Sequence, residues 1–154
     1  MLDQCTIEER FEGVTQMIDR WLHARQTLIV QYCALSGIHE IRPSAESTNL
    51  RLENFCQLLV DYVSAGHFEV YYELIREAEA FGDGSAELAK SLLPYIIDST
   101  EMAMAFHDKY TGANKPLSSL PKALSTLGET MATRFEHEDR LINVLHEAHR
   151  EQVA

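Results

Sequence analysis

The feature that most constrains this chain is an apolar seam in its first quarter, where core-type residues recur at spacings that alternate between four and three. This spacing keeps one stripe of an α-helix apolar, so it predicts a long amphipathic helix. Thr6 and Glu9 form a capping box ahead of the seam, and Gly37 is typical of a helix end. The helix should therefore begin at about Ile7 and break off at Gly37. The seam positions are Ile7, Phe11, Val14, Ile18, Trp21, Arg25, Leu28, Tyr32 and Leu35.

The same helical spacing returns after a loop predicted from Ile38 to about Ser47. A second helix should begin near 47–49, and its pattern breaks only at Ser64-Ala65-Gly66. Glycine inside a helix costs about 1 kcal/mol relative to alanine, so Gly66 indicates a bend or a close approach of another group to the backbone. A further helical segment should follow over about 67–80.

Two prolines mark helix starts in the second half of the chain. Pro94 lies inside a helical pattern over 86–110, for which Ser85 is the predicted N-cap. Proline costs about 3 kcal/mol within a helix and little in its first turn, so we expect either a kink or a short helix and a restart. Pro121 should stand in the first turn of a final long helix. These helices predict an all-α fold in one domain over 1–154. The architecture should be an up-and-down bundle of long antiparallel helices, one broken at Ser64–Gly66.

The formal net charge of −11 excludes the classes of protein that bind DNA or anionic membranes through basic surface. Residues 53–101 carry ten acidic and two basic side chains, so the negative charge is concentrated there. This charge is either a solvated face or a surface for a basic partner. The sequence shows no signal peptide and no long apolar run, which predicts a cytoplasmic protein. Three widely spaced cysteines read as reduced thiols, not as a disulfide framework or a metal site.

The sequence shows no pattern of an active site. Phosphate-binding glycine loops, nucleophile elbows and paired Cys/His motifs are all absent, so we expect a protein that is not an enzyme and has no cofactor. Seven histidines leave a helical-bundle metal site of the hemerythrin type as one alternative, but none stands in a Glu-x-x-His motif. A phosphotransfer histidine is the other alternative, with His67 as its candidate.

Two charged residues occupy seam positions where apolar residues are expected. Arg25 lies on the first predicted helix and Glu138 on the last. We expect them to meet inside the bundle as a buried pair, and removing one partner of such a pair costs several kcal/mol. Arg134 interrupts the last seam in the same way.

Aromatic residues gather beside the predicted joint, close to a carboxylate. Tyr62, Phe68 and Tyr71 surround the joint, and Asp61 precedes Tyr62. Trp21 with Arg20 offers a similar combination on the first helix, although its seam position is equally typical of a core residue. Aromatic side chains and arginine dominate protein interfaces, so these residues indicate a binding surface.

Two long strings of the sequence resemble the Rsd/AlgQ family of anti-sigma factors. They are IDRWLHARQTLIVQYCALSGI over 18–38 and FCQLLVDYVSAGHFEVYYELI over 55–75, and RFEHEDRLI over 134–142 resembles that family's C-terminal helix. The resemblance covers nearly the whole chain, and FGDGSAELAK over 81–90 leans toward the AlgQ branch.

The resemblance implies a helical bundle that binds region 4 of the primary sigma factor of RNA polymerase. Region 4 is a basic helix-turn-helix domain, and capturing it would keep sigma from the core enzyme and from the −35 promoter element. The family contacts carry over to Asp61, Ser64 and Phe68, with Trp21, Arg20 and Tyr71 as further candidates for the same surface. A phosphocarrier protein is a further possible partner in this family. Direct binding to DNA or a membrane is not expected.

Overall fold

The computed structural model describes residues 6–37, 46–112 and 115–150. Within these ranges the chain forms six α-helices, three short turns of other helical type and no strand. A π-helical turn, Gly66–Val70, joins α2 to α3, and 3-10 turns at Leu117–Ser119 and Glu147–His149 flank α6. The helices are α1 (Ile7–Ser36), α2 (Glu46–Ala65), α3 (Tyr71–Phe81), α4 (Ser85–Lys90), α5 (Leu93–Tyr110) and α6 (Leu120–Leu145).

The ends of the first two helices follow from local sequence. The Glu9 N–H donates to Thr6 Oγ1 at 3.1 Å, as the predicted capping box requires, and α1 ends before Gly37. Most of the predicted loop, residues 38–45, lies outside the described residues. The second helix begins at Glu46, just before the expected range.

The short α4 begins differently from the prediction. Gly84, with φ at 83°, occupies the N-cap position, so the expectation that Ser85 caps this helix is wrong. The carboxylate of Asp83 accepts the Ser85 N–H at 3.0 Å instead. A turn that needs a positive φ favours glycine, which leaves the capping hydrogen bond to the preceding aspartate.

Both prolines stand in first turns. The chain restarts after α4, with Pro94 at the beginning of α5, which confirms the second of the two expectations for that proline. Pro121 lies in the first turn of α6. In these positions the missing N–H of proline removes no intrahelical hydrogen bond.

Helices α1, α2, α5 and α6 form an up-and-down bundle in which each packs against the next and α6 returns to α1. Ring contacts show that α1 and α2 are antiparallel, because Trp21 stacks on Tyr62 while Tyr32, further along α1, meets Phe55. The expected all-α bundle is confirmed. Its second helix continues through the π turn into α3, which packs against both α1 and α6. The expectation of a single domain over 1–154 stays a prediction.

The core is formed by the apolar seams. The α1 seam positions Val14, Ile18, Trp21, Leu28 and Leu35 are buried, and each such side chain contributes about 1.5–3 kcal/mol by leaving water. None of the described helices is both long enough and apolar enough to span a bilayer.

Candidate functional site

The joint between α2 and α3 is a π turn built around a glycine. A Cβ on Gly66 would lie 2.8 Å from Tyr71 Oη and 3.3 Å from Arg134 Nη2. No larger residue fits without moving these side chains, so the predicted close approach to the backbone is present. Turns of π type are rare and occur frequently at functional sites.

A buried carboxylate lies behind this turn and links four helical elements. Glu138 is 0% exposed and accepts hydrogen bonds from the hydroxyls of Tyr62 and Tyr71, each at 2.5 Å. Arg134 Nε lies 3.0 Å from Glu138 Oε2, and Arg25 Nη2 lies 3.2 Å from Glu138 Oε1. We call these five residues the Glu138 network. The pair expected from the sequence, Arg25 and Glu138, is therefore part of a larger cluster, in which both carboxylate oxygens are satisfied.

The tyrosines of this network remain hydrogen-bond donors at neutral pH. Burial, together with the nearby Glu138 carboxylate, raises the pKa of Tyr62 and of Tyr71 well above the usual range. Arg25 reaches beyond the network to Asp139, with Nη1 2.5 Å from Oδ1, and its guanidinium lies over the Phe135 ring. The Glu138 network thus keeps the Glu138 carboxylate in the core with all of its hydrogen bonds formed.

Arg134 extends the Glu138 network to α5, which packs against α2 beside the π turn. Its Nη1 donates to Thr100 Oγ1 at 2.5 Å and to Ser99 Oγ at 3.1 Å, both on α5. Thr100 Oγ1 lies 2.6 Å from His67 Nε2, and His67 is the residue before Phe68. Burial and the Arg134 charge lower the pKa of His67, which favours its neutral form.

The outer side of the π turn presents an exposed aromatic ring. Phe68 is 82% exposed, the largest exposure among the large apolar side chains of the described residues. It borders a groove of about 440 Å³ between α2 and α5, to which Ser64, Ile97 and Glu101 also contribute. Ile97, which is 46% exposed, lines the same groove, so the two side chains form an exposed apolar patch of the kind that marks interaction sites.

A second groove, of about 270 Å³, runs on the other side of α2, between α2 and α1. Arg20 and Asp61 lie on opposite walls, and Glu69 of the π turn closes one end. Asp61 is exposed, and one of its oxygens accepts a hydrogen bond from Gln57 Nε2 at 2.9 Å. The π turn therefore forms a ridge between two grooves. We call the ridge and the groove walls beside it the joint surface, which comprises Arg20, Asp61, Ser64, Phe68, Glu69, Ile97 and Glu101.

Two candidates for direct contact with a partner lie in the core. Trp21 and Tyr71 are each only 4% exposed. The Trp21 ring stacks on Tyr62 at 5.0 Å and meets Tyr71 edge-on at 5.7 Å. The structure places Asp61, Ser64, Phe68 and Arg20 toward the surface and puts these two aromatics behind them, because the α1 seam and the α3 apolar face both point into the bundle.

Sequence reasoning missed several residues that shape the site. Thr100, Ile97 and Glu101 come from α5, some thirty residues beyond the joint, and nothing in their local sequence indicates the contact. Arg134 carried a usable signal, since a charge on an apolar seam needs a buried partner. Its partners could not be named without the fold.

A separate polar cluster lies where the end of α6 meets α3 and the α3–α4 turn. We call it the C-terminal histidine pair, and it comprises His146, His149, Glu77 and Asp83. His146 Nδ1 lies 2.7 Å from Glu77 Oε2, and His149 Nε2 lies 2.6 Å from Asp83 Oδ2. The other nitrogen of His149 faces the Leu145 carbonyl oxygen at 3.1 Å. Both neighbours of the His149 ring are hydrogen-bond acceptors.

Most of the described histidines contact other protein groups. Among the residues that the structure describes, no three His, Cys, Asp or Glu side chains come together in a way that could hold a metal ion. His67 points one nitrogen at Thr100, and His137 stacks on Tyr95 at 5.3 Å. Burial raises the pKa of the Cys56 thiol to about 11, as for a small core residue.

Comparison with known proteins places the chain among regulators of RNA polymerase. Residues 1–146 match the family model described as "Regulator of RNA polymerase sigma(70) subunit, Rsd/AlgQ". No solved structure matches the chain.

Curated relatives carry the name "Regulator of sigma D". The protein from Yersinia pseudotuberculosis serotype O:1b (strain IP 31758) is 38% identical over 141 residues, which cover 89% of this chain and 83% of the relative. That from Salmonella arizonae is 36% identical over 153 residues, with coverage of 96% and 93%. These names leave the expected lean toward the AlgQ branch a prediction. The matches span nearly the whole chain, and they establish that it belongs to the Rsd/AlgQ family of sigma(70) regulators.

Proposed function

We propose that this protein is a non-enzymatic, cytoplasmic anti-sigma factor that binds region 4 of the primary sigma factor through the joint surface. The observation that carries the proposal is Phe68, which stands 82% exposed on a π turn between two grooves. Binding there would sequester sigma from the core enzyme and from the −35 promoter element. Family membership supports sigma as the partner. The exposed Phe68 and the grooves beside it support the joint surface as the binding site.

The chemistry of the joint surface fits a basic helical domain. Exposed carboxylates line the two grooves that flank Phe68: Glu101 in the α2–α5 groove, and Asp61 and Glu69 in the α1–α2 groove. A negative surface accelerates the approach of a positive partner, and the aromatic anchor supplies affinity once the surfaces meet. Trp21 and Tyr71 support the surface from behind and do not touch the partner.

The test is a titration of the protein into fluorescently labelled sigma region 4. Phe68→Ala should weaken binding by about 30-fold, as expected when a hot-spot aromatic worth about 2 kcal/mol is lost. The matched control is Leu50→Ala, which truncates another exposed apolar residue of the same helix, 59% exposed and far from the joint. Equal affinities of the two variants would refute the placement of the site.

A charge variant tests the electrostatic part of the proposal. Asp61→Asn should lower affinity by about 3- to 10-fold, mainly through the association rate, and the difference should shrink at higher salt. Glu136→Gln is the control, because Glu136 is exposed on α6, which lies across the bundle from α2.

Sequestration needs its own measurement. Labelled sigma bound to core enzyme should be released by the protein in a competition assay, and Phe68→Ala should fail to release it at the same concentration. Binding to region 4 without any release would reject sequestration while leaving the interaction in place.

A further inference from the structure

The π turn has a consequence for where Phe68 lies. One residue of an α-helix corresponds to about 100° of rotation, so changing the π turn into regular α-helix would swing the Phe68 ring around the helix axis. Phe68 would then leave the edge of the α2–α5 groove. What holds the turn in its π form therefore fixes the direction in which Phe68 points.

The contacts that hold the turn come from one guanidinium and one hydroxyl. Arg134, 1% exposed, lies against Gly66 at the start of the turn, and its Nη2 donates to Tyr71 Oη at 2.9 Å. The same guanidinium donates to Thr100 Oγ1 at 2.5 Å, and that hydroxyl is 2.6 Å from His67 Nε2. The turn is thus fixed at the residue two before Phe68 and at the residue immediately before it.

We propose that Thr100 and Arg134 are positioning residues for partner recognition: through His67 and Gly66 they hold the π turn and so place Phe68 at the groove. This inference rests on the proposed function for its effect on sigma binding, and on the geometry of the turn for its effect on the free protein. Arg134 is 1% exposed and acts from behind the surface, whereas Thr100 also lines the α2–α5 groove, so its positioning role has to be separated from direct contact.

The discriminating variants are Thr100→Val and Thr100→Ser. Valine keeps the branched shape and removes the hydroxyl, whereas serine keeps the hydroxyl and removes the methyl group. Loss of a hydrogen bond to a charged group should make Thr100→Val about tenfold weaker in sigma binding. Thr100→Ser should stay within about twofold of the wild type, since it keeps that hydrogen bond. Should Thr100→Val fail to fold, Thr100→Ala removes the same hydroxyl without adding atoms.

A double-mutant cycle with Phe68→Ala separates positioning from direct contact or general destabilisation. If Thr100 acts by placing Phe68, Thr100→Val has little further effect once the ring is gone. The matched control is Tyr32→Phe, which removes the 2.8 Å hydrogen bond from Tyr32 Oη to the Leu124 carbonyl at the far end of the bundle. It should leave sigma binding unchanged.

Amide hydrogen exchange of the free protein gives a readout that needs no partner. Thr100→Val should speed exchange of the amides at 66–71 by at least about fivefold, while Thr100→Ser and Tyr32→Phe should not. Unchanged exchange, additive effects in the cycle, or a serine variant as weak as the valine variant would each overturn the inference. If the wild type does not bind sigma region 4, the proposed function fails and the recognition role falls with it. The exchange result then shows separately whether Thr100 holds the turn.

Discussion

Two polar clusters lie at different levels of this bundle, the Glu138 network near the middle of α1 and the C-terminal histidine pair near the end of α6, and they differ in the groups that surround their carboxylates. The Glu138 network combines a carboxylate with two tyrosines and two arginines, whose donors stay protonated throughout the physiological range. The C-terminal histidine pair sets two imidazoles against the carboxylates of Glu77 and Asp83, and the pKa of Asp83 is lowered by hydrogen bonds from Ser85 and His149.

The difference teaches which part of the protein should respond to pH. The joint surface stands on the Glu138 network, whose groups keep their protonation states over the pH range of a cell, so only His67 should make it respond to pH. The tether between the end of α6 and the α3–α4 turn includes the Asp83 carboxylate, whose pKa is lowered by hydrogen bonds from Ser85 and His149, so its contribution should be lost at acid pH. Three predictions test this contrast, in order of expected effect.

The largest effect should follow removal of the central charge. Glu138→Gln leaves Arg25 and Arg134 without their buried carboxylate and should lower the free energy of unfolding by about 3–5 kcal/mol. Urea denaturation at pH 7 measures it, and Glu136→Gln, an exposed change on the same helix, should stay within about 0.5 kcal/mol. A loss below 1 kcal/mol for Glu138→Gln would mean that the network is not a stabilising centre.

An intermediate effect, dependent on pH, should follow Asp83→Asn. Hydrogen bonds from Ser85 and His149 hold the pKa of Asp83 well below its usual range. An aspartate with a lowered pKa stabilises the fold above the ordinary value of about 3.9 and loses that contribution as pH falls through the folded value. Thermal midpoints should therefore differ most between wild type and variant at pH 7 and converge below about pH 4.

The control for that comparison is Asp98→Asn, an exposed change on α5. A gap between wild type and Asp83→Asn that stays constant from pH 7 to pH 3 would show that the ion pair with His149 does not carry the effect.

The smallest effect on stability should come from His67, the titratable residue of the π turn. Its pKa is lowered by burial and by Arg134, so the unfolded chain binds the proton more readily than the folded one. Stability should then decline as pH falls below about 6.5. His67→Gln should flatten the decline of the thermal midpoint between pH 7.5 and pH 5.5.

His23→Gln, on the exposed side of α1, is the matched control and should keep the wild-type slope. A slope that His67→Gln leaves unchanged would assign the acid sensitivity to another group.

Much of the fold could be predicted because local patterns determine it. The capping box at Thr6, the stop at Gly37 and the prolines at 94 and 121 set helix ends through backbone chemistry that depends on near neighbours. Ser85 was misassigned because two residues competed for the same cap, and a positive φ decided for Gly84. The aromatic and acidic residues beside the joint indicated a binding surface, and the family resemblance selected Asp61, Ser64 and Phe68 from it. No local pattern distinguishes an exposed aromatic from a core one.

The sequence by itself determined a helical bundle, its family and the presence of charges on two core seams. Only the tertiary structure decided that Trp21 and Tyr71 face inward, that the break at the joint is a π turn, and that Arg134 connects it to Thr100. The physical reason is range: helix periodicity and caps act over three or four residues, whereas the Arg134 to Thr100 contact spans 34 residues and depends on how α5 and α6 pack.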